Sequence, residues 1–196
     1  MAGRDNKEIS VPCIYFEKPG QENTRRTLEV ASKRAEELGV KNIVVATTTG
    51  ETGWMAAKLF AKKNLVIVTH STGFVKPDYQ EMKPEFREKI EKSGFRILTC
   101  QHAFGGVGRA VRKKLGTYEL EELVAYTLRV FGEGTKVAVE IALMAADAGL
   151  IPLSEPCISV GGTGRGADTA ILLKPANAQT LFDLRVMEIL AKPRLE

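Results

Sequence analysis

The chain is poor in the residue types that carry the commonest kinds of chemistry. Its 196 residues include three cysteines, Cys13, Cys100 and Cys157, none in a CxxC spacing and each within or beside an apolar run. Cysteine in that setting is a small buried hydrophobe, which argues against a disulfide framework or a zinc site. There are two histidines, His70 and His102, so few groups could titrate near neutral pH without perturbation. No apolar run is long enough to cross a bilayer uncharged, and the opening MAGRDNKEIS has no hydrophobic leader segment. A soluble, cytoplasmic protein with no membrane partner is expected. Charge of one sign is also lacking: the net +4 is small, and Lys and Arg are scattered among nearly as many carboxylates. The densest basic cluster, Arg109, Arg112, Lys113 and Lys114, has no interleaved aromatics, so no nucleic-acid partner is expected. Internal repeats and low-complexity linkers are absent, and the length suits one domain over 1–196.

What the chain does have is a recurring pattern. Five times a short strand-like run ends in a loop rich in Gly, Thr, Ser or Asn: CIYF then EKPGQENT, NIVVA then TTTGETG, NLVIVT then HSTGF, FRILT then CQHAFGGVG, and CISV then GGTGRGAD. Most of these loops lead towards a helical pattern. In a parallel α/β sheet all five would gather outside the carboxyl ends of the strands, where such sheets bind ligands. Helical periods predict helices over Glu22–Leu38 and Thr52–Lys63, from the loop after Phe74–Pro84 to Ser93, and twice between Tyr118 and Leu150, with a break at Gly132–Gly134. Strands are expected at Asn42–Ala46, Leu65–Thr69, Phe95–Thr99, Cys157–Val160 and Thr169–Lys174, and Leu184–Leu190 reads as strand or helix.

The loops differ in their chemistry. TTTGETG, Thr47–Gly53, offers consecutive hydroxyls, glycine-freed amides and a helix N-terminus, together a cradle for phosphate, or else an ordinary threonine-capped turn. It lacks the Lys of a P-loop, which argues against nucleoside triphosphate hydrolysis. In GGTGRGAD, Gly162, Gly164 and Ala167 fit G-x-G-x-x-G/A, but the following TAILLKP reads as a strand where a dinucleotide fold needs a helix. The loop is therefore read as a glycine turn carrying Arg165, with Asp168 capping the turn or reaching a ligand hydroxyl. Glu17, Glu51 and Asp168 could hold Mg²⁺ if they converge, though no spacing demands it and no metal is expected. Phe74 and Phe104 are candidates to sandwich a flat ring, with core packing as the alternative. His70 and His102 could act as acid or base, bind phosphate or cap their loops. Neither has a partner in sequence that would tune it for catalysis, which favours ligand recognition and an affinity that falls as pH rises through the imidazole pKa.

The run NIVVATTTGETGWMAAKLFAKKNLVIVTHSTGF resembles the C-terminal α/β domain of pyruvate kinase. The whole chain is similar to the free-standing archaeal and bacterial proteins labelled pyruvate kinase α/β domain, which share the TTTGxTG, FGGxGRA and GGTGRGADTA motifs. The resemblance implies a three-layer α/β/α domain with a mostly parallel sheet. It also implies recognition of a small phosphorylated ligand, since the matching pyruvate kinase loop holds a phosphate of a sugar bisphosphate. The catalytic barrel of that enzyme has no counterpart here, so pyruvate kinase catalysis is not expected. Similar free-standing domains are associated with flavin mononucleotide (FMN), which is the cofactor expected. Ligand contacts are accordingly expected from Glu17 and Asn23; from Thr47, Thr48, Thr49, Gly50, Glu51 and Thr52; from His70, Ser71, Thr72, Gly73 and Phe74; from Gln101, His102, Phe104 and Gly105; and from Gly162, Thr163, Gly164, Arg165 and Asp168. The alternative is a small enzyme acting on a phosphorylated metabolite through His70 or His102. Oligomeric state is left open, a homo-oligomer included.

Overall fold

The computed structural model describes residues 8–194. The reading of the opening segment as leader-free falls, over residues 1–7, outside them. Seven strands form one sheet: β1 (Ile14–Phe16), β2 (Asn42–Ala46), β3 (Asn64–Val68), β4 (Arg96–Leu98), β5 (Cys157–Gly161), β6 (Thr169–Lys174) and β7 (Arg185–Pro193). Their spatial order is β1-β7-β6-β5-β2-β3-β4. β6 runs antiparallel to both β5 and β7, and every other pairing is parallel. All five strands that precede the glycine- and threonine-rich loops therefore point the same way, and their loops share one edge.

The central strands are buried on both sides because a helical layer covers each face. Side chains alternate along a strand, so Ile43 and Val45 of β2 face one layer while Val44 faces the other. On the first face lie α1 (Thr24–Glu37), α2 (Glu51–Leu59) and α3 (Pro84–Lys92), packed through Leu28, Ala31, Ala56 and Ile90. On the second lies α6 (Glu133–Asp147), with α5 (Leu120–Arg129) outside it and α4 (Val107–Leu115) adjoining α5. The result is the mostly parallel three-layer fold that the strand and helix pattern called for. α6 is unusual in its burial, since twelve of its fifteen residues are covered. Its N-terminus also touches the sheet closely: a Cβ on Gly161 would lie 2.4 Å from the Gly134 carbonyl oxygen, so only glycine permits that approach.

Beyond shifts of one or two residues at element ends, the structure corrects or adds to the sequence periods at three places. α2 stops at Leu59 rather than Lys63, because Phe60 leaves helical geometry and inserts into the core at 1% exposure. α4 is a further helix beyond the segments assigned from the sequence, although Val107, Ala110, Val111 and Leu115 recur at helical spacing along VGRAVRKKL. The ambiguous final stretch is strand β7, for it is flanked by β1 and β6 and completes the sheet between them. No helix among the described residues is long and apolar enough to cross a membrane.

Candidate functional site

Two adjoining cavities open at the carboxyl edge. The smaller, about 250 Å³, is lined from the loops after β2 (Thr47, Thr48), β3 (His70, Phe74), β4 (His102) and β5 (Gly162, Gly164, Gly166), and from α4, α5 and α6. The larger, about 860 Å³, takes Gln21, Glu22 and Thr24 from the region after β1, with Thr48, Thr49, Glu51, Thr52 and Arg165. Thr48 and Gly166 line both. The five loops thus share an edge but divide between two cavities.

The TTTGETG turn is partly structural. Thr47 is buried, and its Oγ1 accepts the Gly50 and Gly53 amides at 3.1 and 3.3 Å, capping α2 from three residues before its N-cap. This hydroxyl is thereby occupied, while Thr48, Thr49 and Thr52 line the larger cavity. Gly50 has φ +98°, and a Cβ there would lie 2.5 Å from the Phe86 Cβ. It is required by the turn itself, in addition to any role in freeing amides.

Several expected ligand contacts prove to be structural. Asp168 is fully buried: its Oδ2 accepts the amides of Gly20 (3.2 Å) and Thr163 (3.1 Å), and its Oδ1 accepts the Thr169 hydroxyl (2.9 Å). It caps the turn and ties it to the loop after β1, which decides between its two expected roles. Asn23 donates to the Lys18 carbonyl at 2.8 Å and holds its own turn. Phe104 is 6% exposed in the core beneath α6, so of the two candidate ring-stackers only Phe74 reaches a cavity. Ser71, Thr72, Gln101 and Gly105 line a separate shallow depression on the far side of His102. Glu17 and Gly73 are exposed and line none of these three hollows, whereas Thr163 spends its amide on Asp168. Glu17, Glu51 and Asp168 do not converge; no group of three metal-ligating side chains lies together among the described residues.

The histidines have partners that the sequence did not reveal. His70 Nδ1 lies 2.7 Å from Glu81 Oε2, a residue of the long loop before α3. His102 Nε2 accepts the Ser71 amide at 3.4 Å, which places its proton on Nδ1. Burial lowers the His102 pKa to about 4, the Glu140 charge only partly opposing this, so its ring is neutral at physiological pH. A neutral His102 ring attracts phosphate less than a cationic one. His70, Phe74 and His102 pack together with centroids 4.2 to 5.5 Å apart, and the Arg109 guanidinium lies 4.8 Å from the Phe74 ring centre.

The charges of the smaller cavity were missed by sequence reasoning altogether. Lys136 is 5% exposed and donates to Glu140 Oε2 at 2.8 Å, with Glu133 Oε1 at 3.7 Å. Glu140, at 3% exposure, also accepts the Phe104 amide on Oε1 at 2.9 Å, fixing the loop after β4 to α6. Arg129 pairs with Glu133. A signal was present: Glu133, Lys136 and Glu140 are the charges that interrupt an otherwise apolar helix up to Asp147, at spacings that place them on one side.

Comparison with known proteins agrees with this architecture. The family model for pyruvate kinase, alpha/beta domain, matches residues 25–173. Similar solved structures include a Cryptosporidium parvum pyruvate kinase, 15% identical over 81% of this chain and 23% of that one, with a TM-score of 0.40. A second structure of a pyruvate kinase from the same organism, and one in complex with ADP, are each 15% identical over 76% of this chain and 22% of theirs, at TM-score 0.39. The chain spans about a quarter of the length of these enzymes. With a family model covering well over half its residues, the chain belongs to the pyruvate kinase alpha/beta domain family.

Proposed function

We propose that the protein binds a phosphorylated small molecule in the larger cavity, with the phosphate on the turn that opens α2. One observation carries this reading. Thr48, Thr49 and Thr52 stand at a helix N-terminus and line a cavity whose other walls bring up Arg25, Lys83 and Arg165, with the carboxylates Glu22, Glu51 and Glu81 balancing their charge. Helix N-termini and cations both favour an anion, and each charge-assisted hydrogen bond contributes about 1.5–3 kcal/mol.

FMN is the specific ligand that the resemblance suggests, and its fit can be judged part by part. The phosphate has the cradle just described, and polar loop groups can meet the ribityl hydroxyls. A volume of about 860 Å³ has room for the whole molecule, with Met55, Val75 and Tyr79 as the apolar surface available to its ring. The Phe74 ring is a poorer platform, since the protein's own His70, His102 and Arg109 already pack against it. When bound, FMN would supply hydride or electron transfer; the residues of the chain would hold and orient it. The test is calorimetric titration of FMN and of inorganic phosphate into wild type and Thr48→Val, with mass spectrometry of any co-purifying small molecule. Saturable binding of both, weakened tenfold or more in the variant, supports the reading. Failure of both ligands to bind sinks it, and phosphate binding without FMN binding removes FMN alone.

A second reading, acid–base catalysis on the phosphorylated ligand, is favoured by the His70–Glu81 contact, in which His70 lines the smaller cavity and its partner Glu81 the larger. A carboxylate on Nδ1 orients the ring, fixes its tautomer and leaves Nε2 to exchange a proton. If this pair is catalytic, His70→Gln lowers turnover about 10²- to 10⁴-fold with little change in ligand affinity.

A further inference from the structure

We infer that the smaller cavity is a second, separate binding site, selective for a small carboxylate anion, with Arg109 as its anchor. Three cations, Arg109, Arg129 and Lys136, line it together with two carboxylates, Glu133 and Glu140. The lining thus carries one more positive than negative charge. That excess balances a monoanion and leaves a dianionic phosphate facing Glu133 and Glu140 uncompensated. His102 adds nothing to the count, being neutral near pH 7.

The cations are not equivalent. Lys136 and Arg129 are held by Glu140 and Glu133. Among the described residues Arg109 has no carboxylate partner and its buried Nε–H has no acceptor; its guanidinium rests over Phe74. A buried donor without a partner costs about 1–3 kcal/mol, so a small turn that brings Nε–H to an entering oxygen relieves a standing penalty. A carboxylate matches the planar guanidinium fork with two parallel hydrogen bonds; phosphate can do the same, so the preference for a carboxylate rests on the charge count of the lining. The other polar groups nearby are largely committed. Thr47 caps α2, and the Thr69 hydroxyl contacts Thr99 Oγ1 at 2.7 Å. The volume of about 250 Å³ suits an acid of a few carbons.

The probes are acetate, glycolate and inorganic phosphate, titrated into the full chain by calorimetry while the Arg109 Nε–H signal is followed by NMR. Glycolate and acetate should bind saturably and move that signal. Arg109→Gln should weaken them tenfold or more, and Arg109→Lys, which keeps the charge and loses the fork, by about threefold to tenfold. Thr49→Val, at a residue that lines the larger cavity and not the smaller, should leave acetate binding in place, so the two sites succeed or fail independently. Three results would overturn the inference: no saturation by either carboxylate, equal affinity in wild type and Arg109→Gln, or inorganic phosphate moving the Arg109 signal at lower concentration than acetate. The wild-type titration alone reports the last of these, so the inference remains testable even if a variant folds poorly.

Discussion

The two cavities meet at Thr48 and Gly166, yet they are built on opposite principles. The larger is a trough of threonines and charged side chains of both signs over the start of α2, on the face covered by α1, α2 and α3. The smaller lies against α6, where Lys136 and Glu140 form a buried ion pair and Arg129 and Glu133 a partly exposed one. An open wall of hydroxyls can give up water for ligand at little cost to the fold. A wall of buried ions is itself part of the fold, because each charge is tolerable only while its partner is present. Substitutions in the trough should therefore change binding, and substitutions in the enclosed cavity should change stability as well.

The largest effect should come from Glu140→Ala. It strands the Lys136 ammonium and removes the acceptor of the Phe104 amide, at a cost of about 3–5 kcal/mol by urea denaturation. A loss below about 1 kcal/mol would mean that Lys136 reaches water, and the contrast between the cavities would collapse. Gly50→Val tests the one rigid point of the trough. With φ at +98° and Phe86 in the way, the strained backbone and the clash together should cost about 2–4 kcal/mol. The same substitution read from sequence alone looks like a clean block on ligand approach; the structure makes it a stability mutant.

Acid should act on the enclosed side. His102 keeps its neutral form to about pH 4 when folded and protonates near 6.5 when unfolded, so between these values the unfolded chain binds the extra proton. Its contribution is complete above about pH 6.5 and is lost as pH falls towards 4, by at most about 3 kcal/mol. His102→Gln should flatten this part of the stability profile, and an unchanged slope would show that other groups cause it. The smallest effect on folding belongs to Thr48→Val, whose hydroxyl makes no hydrogen bond to another described residue, and which should shift stability by less than about 0.5 kcal/mol while weakening phosphate. A larger loss of stability would erase the distinction between a binding wall and a structural one.

Much of the edge could be read from the chain. Strands β2 and β6 have the boundaries that the aliphatic runs NIVVA and TAILLK predict, because a strand buried on both faces is a continuous apolar run and its ends are marked by polar turns. The GGTGRGAD segment was legible as a turn between strands for the same reason. The glycine- and threonine-rich loops were legible as neighbours once the strands were parallel. What those loops do individually was less so: Thr47, Asn23, Phe104 and Asp168 look like ligand contacts in sequence and serve as caps and core. A hydroxyl, amide or carboxylate satisfies a backbone donor as readily as a ligand, and composition cannot tell which it meets.

The sequence by itself determined the layered sheet, the common direction of its five loop-bearing strands and the edge where the loops collect, because periodicity and turn chemistry are local properties of the chain. Only the tertiary structure decided that this edge holds two cavities, that His70 has Glu81 beside it, and that Arg109 stands over Phe74 with no carboxylate of its own. Those facts depend on groups distant in sequence, and whether a charge ends paired or unpaired is set by which of them the packed helices bring within a few ångströms.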